Sequence, residues 1–189
     1  MGEILHSLWH RNIQLAKESN VDLLTECFNR RGWLNAVHPM AYLANRNNDT
    51  IGVLLLDLDH FKKVNDRFGH SVGDEVLART SKAISGALRR SDIVGRWGGE
   101  EFIIFLHNLP SGKADDVAEK VRRAVEASGK EGQRGTCSIG AVVGRLSEDA
   151  IGDLENLIER ADSSLFNAKD SGRNCVVIAG AGDSSDAAR

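Results

Sequence analysis

Between Ile51 and Ile178 the chain switches repeatedly between short, almost wholly apolar runs and longer stretches whose apolar residues recur every three or four positions. That alternation admits few folds: the runs are strands of one sheet, and the periodic stretches are helices laid against it. Ile51 to Leu56 reads as a buried central strand ending in acids. Val76, Leu77, Thr80, Ile84 and Leu88 line one face of a helix that begins near Ser71 to Asp74. Ile93 to Trp97 and Glu101 to Leu106 flank Gly98-Gly99 and predict a hairpin with a glycine turn. Val117, Ala118, Val121, Ala124 and Val125 mark another helix, Gly135 to Val143 a strand, Leu154 to Ala168 a further helix, and Cys175 to Ile178 a closing strand. Upstream, Leu23 to about Asn45 holds a helix that starts after Thr25 or Asn29. The fold class is therefore α+β: a ferredoxin-like β-α-β-β-α-β core with an antiparallel central sheet, surrounding helices, and an extra helix and strand.

A chain of 189 residues, 41% apolar and 27% charged, can form one core. One domain over residues 21–179 is expected. Residues 1–20 carry a loose helical stripe, Ile4, Leu5, Leu8, Trp9, Ile13 and Leu15, and are expected to form a linker or signalling helix; residues 180–189 are small and polar, a tail expected to be disordered. With 24 Lys and Arg against 27 Asp and Glu the net charge is −3, which disfavours a general nucleic-acid partner. The longest apolar runs fall far short of the roughly 18 residues that span a bilayer, and the N-terminus lacks a secretory pattern, so no membrane span is expected and a cytoplasmic location is. Cys27, Cys137 and Cys175 are odd in number and far apart, which predicts buried thiols, not disulfides or a thiolate metal site.

Chemistry gathers in two acidic clusters. Asp57-Leu58-Asp59 closes the central strand, where either carboxylate could project past the sheet edge as a ligand for a hard cation, or cap the following helix. Gly98-Gly99-Glu100-Glu101-Phe102 opens the second hairpin strand, with glycines free to take positive φ and let a substrate approach the backbone. In the proposed sheet these strands are neighbours, so the acids can converge, and carboxylates without His or Cys suit Mg²⁺ or Mn²⁺. Between the clusters, Lys62 and Lys63 could meet phosphates. Asn65 and Asp74 offer an amide and a carboxylate that suit guanine, whose N1–H and N2–H donors lie beside the O6 and N7 acceptors. Lys169 to Asn174 ends the last helix, where basic residues and the C-capping Gly172 also have an ordinary structural use.

These segments, with Leu24-Thr25, Asn29-Arg30-Arg31, Phe68-Gly69-His70, Ser138-Ile139-Gly140 and Ala161-Asp162, resemble the GGDEF family of diguanylate cyclases in its GGEEF variant, over about Asp22 to Val177. The resemblance implies a nucleotidyl-cyclase, polymerase-palm-like fold that condenses two GTP into cyclic di-GMP and releases pyrophosphate, each GTP held by one subunit of an antiparallel homodimer. Carried over by motif, Asp57, the Leu58 carbonyl, Glu100 and Glu101 would hold two Mg²⁺ or Mn²⁺ ions, and Glu100 would be the base for the 3′-hydroxyl. Asn65 and Asp74 would read guanine. The backbone at Phe61 and Lys62 would meet the terminal phosphates, Lys169 and Arg173 would clamp them, and the Gly98-Gly99 backbone would lie under the nucleotide. Arg89-Arg90-Ser91-Asp92 fits the family's RxxD motif, which implies product inhibition by cyclic di-GMP at Arg89 and Asp92, with Lys120, Arg122 or Arg123 as a possible second basic contact. The family commonly has Thr-Gly-Leu where this chain has Thr25-Glu26-Cys27, so the backbone there is expected to turn differently. Such enzymes often carry an upstream sensory region, and the chain is expected to be the output part of a larger protein. A catalytically silent GGDEF module that only binds GTP or product would be expected to have lost some of Asp57, Lys62, Glu100, Lys169 and Arg173, all of which are present.

Overall fold

The computed structural model describes residues 20–110, 112–129 and 135–179; the helix expected over residues 1–20 and the tail expected from residue 180 lie outside them. Six strands form one mixed sheet: β1 (Phe28–Asn29), β2 (Ile51–Leu58), β3 (Ile93–Arg96), β4 (Glu101–Leu106), β5 (Cys137–Gly144) and β6 (Val176–Ala179), in the order β1-β3-β4-β2-β5-β6. The central four pair antiparallel, while β1 on β3 and β6 on β5 are parallel additions at the edges. The core order β3-β4-β2-β5 is that of a ferredoxin-like sheet.

The five described helices are α1 (Arg30–Asn47), α2 (Phe61–Phe68), α3 (His70–Ala87), α4 (Ala114–Ala127) and α5 (Ala150–Asp170). Strand alternation divides the core between the two sheet faces. Leu54, Leu56, Phe102, Ile104, Cys137 and Ile139 pack against α2, α3 and α4. Val53, Leu55, Ile103, Phe105 and Val142 pack against α1 and α5, where Trp33, Val37, Ala41 and Ala44 line one helix and Leu154, Leu157, Ala161 and Leu165 the other. All eight residues of β2 are buried, as expected of a strand covered on both faces. Among the described residues no helix is long and apolar enough to cross a membrane.

Local chemistry decides the boundaries. Asn29 caps α1, its side chain accepting from the Gly32 N–H at 2.9 Å, so that helix starts after Asn29 and not after Thr25. Neither Asp57 nor Asp59 caps α2; its N-cap is His60, at φ +57° and without a side-chain cap bond. Gly98 and Gly99 form the expected turn without positive φ. Glu26 does take φ +59°, so the residue bends to the turn that a glycine would fit. Gly140 answers a different need: a Cβ there would collide with the backbone of Ala161 and Leu165. Only glycine lets α5 lie this close to β5, and that height fixes where the far end of α5 meets the sheet rim.

Candidate active site

β2 and β4 are antiparallel with Asp57 opposite Glu101, so the two carboxylates stand side by side on the α5 face of the sheet. Glu100, half-buried, precedes Glu101, and its carbonyl accepts from the Leu58 N–H at 3.3 Å. Lys169, in the last turn of α5, reaches down to the same rim, where its Nζ lies 2.8 Å from Asp57 Oδ2. Burial pushes the Asp57 carboxyl above its ordinary value; Lys169 opposes the rise, Asp59 adds to it, and the nearby Arg173 charge also opposes it. Burial raises Glu100 too, followed by repulsion from Asp57, with Lys169 opposing and Glu101 adding. Three carboxylates thus share one rim, with the Lys169 ammonium seated on one of them.

This donor set fits a hard divalent ion in kind: oxygen ligands only, like charges crowded together, and carboxyls that burial and mutual repulsion make costly to ionise. Among the described residues no three acidic, His or Cys side chains are yet drawn close enough to hold an ion. Lys169 occupies Asp57 Oδ2, so an ion that takes this oxygen competes with the ammonium.

Across the end of β2, the uncapped start of α2 presents the backbone of Phe61 and Lys62, whose N–H groups lie where a helix has no internal acceptors. The Lys62 side chain is exposed beside them. Where α2 meets α3, Asn65 packs against Gly73, so closely that a Cβ on Gly73 would overlap Asn65 Oδ1. That oxygen is buried and has no hydrogen-bond partner. Of the amide that the sequence offers to a base at Asn65, the atom left needing a partner is the acceptor. Asp74 follows on the exposed side of α3.

The RxxD residues form a separate feature. Asp92 Oδ2 accepts from the Arg89 N–H at 2.9 Å, and both residues line a hollow with Val21, Glu26, Phe28 and Leu88. Of the three further basic residues, Arg122 is committed to Glu119, Glu126 and Asn174, and Arg123 to Glu119 at 2.9 Å. Lys120 is exposed.

Three features carry no clear sequence signal. Arg96 grips both Asp22 carboxylate oxygens at 3.2 Å and donates twice to the Gly99 carbonyl, at 3.2 and 2.7 Å, which ties the start of the domain to the glycine turn. Asp22 is held below its ordinary value: burial raises it, but bonds from Thr25 and the Arg96 charge outweigh that. Arg30 stacks on Trp97 at 4.2 Å, and Trp97 meets Trp33 edge-on at 5.6 Å. Asp59, the twin of Asp57 in sequence, faces protein donors only.

The family profile described as "Diguanylate cyclase, GGDEF domain" matches residues 19–175. The chain belongs to the GGDEF family. This GGDEF domain is 37% identical over 169 residues to diguanylate cyclase DgcM of Escherichia coli, covering 88% of the chain and 40% of that protein. It is 32% identical to diguanylate cyclase A of Treponema denticola over 172 residues, 88% of the chain and 46% of the relative. The chain thus spans less than half the length of these curated relatives. Its fold superposes on the crystal structure of diguanylate cyclase SiaD, in complex with its activator SiaC from Pseudomonas aeruginosa, with a TM-score of 0.78 and 34% identity over 94% of this chain and 69% of that one.

Proposed function

We propose that this GGDEF domain is a diguanylate cyclase that condenses two GTP into cyclic di-GMP and releases pyrophosphate, working as a homodimer with one GTP per subunit. The observation that carries the reading is the convergence of Asp57, Glu100 and Glu101 with Lys169 at one sheet rim, with the unpartnered Asn65 oxygen buried where α2 meets α3. Relatives named diguanylate cyclases support it.

In this mechanism guanine is read at the α2–α3 corner. Its N–H donors satisfy the buried Asn65 oxygen and the Asp74 carboxylate, and a base without adjacent donors leaves one of them unpaired. The triphosphate lies along the uncapped first turn of α2. Lys62, Lys169 and Arg173 supply cations around its terminal phosphates. Asp57, Glu100, Glu101 and the Leu58 carbonyl would hold two Mg²⁺ or Mn²⁺ ions, which when bound neutralise charge developing on the triphosphate. Glu100, held above its ordinary value by burial and then by Asp57, accepts the proton of the 3′-hydroxyl, which attacks the α-phosphate of the GTP on the facing subunit. Two such attacks, related by the dimer axis, close the ring. Cyclic di-GMP returning to the hollow at Arg89 and Asp92 inhibits the enzyme.

The test is to incubate the purified chain with GTP and Mg²⁺ at high protein concentration and identify products by chromatography and mass spectrometry. Cyclic di-GMP with pyrophosphate is expected. Binding of GTP without turnover, even after fusion to a dimerising coiled coil, would refute the cyclase and leave a silent binding module.

A further inference from the structure

Asp59 is a buried carboxylate, 8% exposed, that the mechanism above does not use. Its oxygens are already engaged: Ser138 Oγ donates to Oδ1 at 2.7 Å, while Thr136 Oγ1 at 2.6 Å and the Asn174 backbone N–H at 3.0 Å both donate to Oδ2. Three of about four lone-pair positions are thereby filled, so Asp59 is poorly placed to bind anything else.

The Asn174 contact falls on an unusual piece of chain. Gly172, Arg173 and Asn174 have φ of +108°, +67° and +48°, three left-handed residues in succession after α5. Glycine accepts this freely, but Arg and Asn do not, and the corner persists only because its surroundings hold it. On one side the Arg173 N–H donates to the Ala168 carbonyl at 3.1 Å. On the other, Asn174 is held at its backbone by Asp59 and at its side chain by α4: Oδ1 accepts from Arg122, and Nδ2 donates to Glu126 Oε1 at 3.2 Å. Arg122 is itself fixed by Glu119 and Glu126 at 2.8 and 2.9 Å. Arg173 thus sits between two clamps, with its charge acting on Asp57.

We propose that Asp59 is a positioning residue for the triphosphate: by anchoring Asn174 it holds Arg173 in the left-handed conformation from which the guanidinium reaches the GTP phosphates. The proposal rests on the reading of the Asp57–Lys169 rim as the GTP site. Shape, not charge, is what Asp59 supplies. An Asn at this position can turn its oxygen to Thr136 and Asn174 and its amide to the Ser138 hydroxyl, which accepts as readily as it donates.

The test measures binding of α,β-methylene-GTP with Mg²⁺ by calorimetry to the full chain and its variants. Asp59→Ala is expected to weaken binding about ten- to a hundredfold, as Arg173→Ala does by removing one charge-assisted contact. Asp59→Asn stays within about threefold of the parent, and Asp59→Ala on top of Arg173→Ala adds less than about twofold, because both remove the same contact. Equal losses for the Asn and Ala variants, or losses that multiply in the double variant, overturn the proposal. Should Asp59→Ala fail to fold, Asp59→Ser takes its place: its hydroxyl is too short to hold the Ser138, Thr136 and Asn174 donors together, and it is expected to weaken binding about as much, and only when Arg173 is present. Amide hydrogen exchange provides a readout free of nucleotide: Asn174 is protected in the parent and in Asp59→Asn and loses protection in Asp59→Ala, while Leu54 and Leu55 of the central strand keep theirs. Unchanged protection at Asn174 refutes the anchor. A parent that makes no cyclic di-GMP refutes the cyclase reading alone, because neither readout depends on turnover.

Discussion

Replacing Glu26 with glycine should stabilise the protein although it removes a side chain. Glu26 stands at φ +59°, its side chain is exposed, and its N–H donates to the Asp22 carbonyl at 2.8 Å, a bond that glycine keeps. The left-handed conformation costs a residue with a Cβ about 1–2 kcal/mol, which glycine escapes. Against this, glycine loses about 0.4–1 kcal/mol more backbone entropy on folding. The net gain is about 0.5–1 kcal/mol, equivalent to about 1–4 °C in Tm for a domain of this size. Thermal unfolding followed by circular dichroism measures it, with Glu26→Ala as the control, since alanine loses the same carboxylate but keeps the Cβ. The expected order is Gly above Glu, with Ala close to Glu. If Gly and Ala move together, or Gly unfolds first, the strain assigned to this turn is absent.

Glu100→Gln should lower turnover by orders of magnitude in the product assay while the far-UV spectrum stays unchanged, because a ligand and proton acceptor is lost with little change in volume. The same variant has a pH signature. Burial, then the neighbouring carboxylates, raise Glu100 in the folded state, so the native protein holds that proton more tightly than the unfolded chain does. Its contribution to stability is full below the ordinary carboxylate value and falls as pH rises through the raised one. Thermal unfolding between about pH 4 and pH 7 should show Glu100→Gln losing less stability toward neutrality than its parent; parallel curves would remove Glu100 from the charge cluster. Asp74→Ser should relax the preference for GTP in competition assays, and an unchanged preference would defeat its assignment to the base. Arg89→Ala should weaken inhibition by added cyclic di-GMP with little change in initial rate, whereas Glu26→Gly, which removes a carboxylate from the same hollow, should strengthen it a few-fold.

The elements with clean periodicity were legible in the sequence: β2 as an apolar run, and α3 and α5 as stripes at three and four residues. From their order the neighbouring of β2 and β4 follows, and with it the meeting of Asp57 and Glu101. The elements that pattern does not show are those held by distant partners. β1 is two residues long and exists because β3 offers it an edge. α2 buries only Phe61 and is too short to display a period. α1 tolerates Pro39 in its interior, because Trp33, Val37 and Ala41 remain packed on the sheet. Nothing local separates Asp57 from Asp59; one meets Lys169, and the other meets partners 77, 79 and 115 residues away. Arg96 is similarly silent in sequence, since its partner Asp22 lies 74 residues upstream.

The Lys169–Asp57 contact has a consequence for how the rim fills. Lys169 offsets one of three carboxylates, so the rim keeps an excess of negative charge: a cation relieves that excess, whereas a bare anion drawn to Lys169 leaves Asp57 exposed to its acidic neighbours. A nucleotide that arrives already chelating its own divalent ion carries both signs at once and can exchange partners with the pair in a single step. On the proposed reading, the rim would admit a nucleotide that brings its ion and resist one that comes without it.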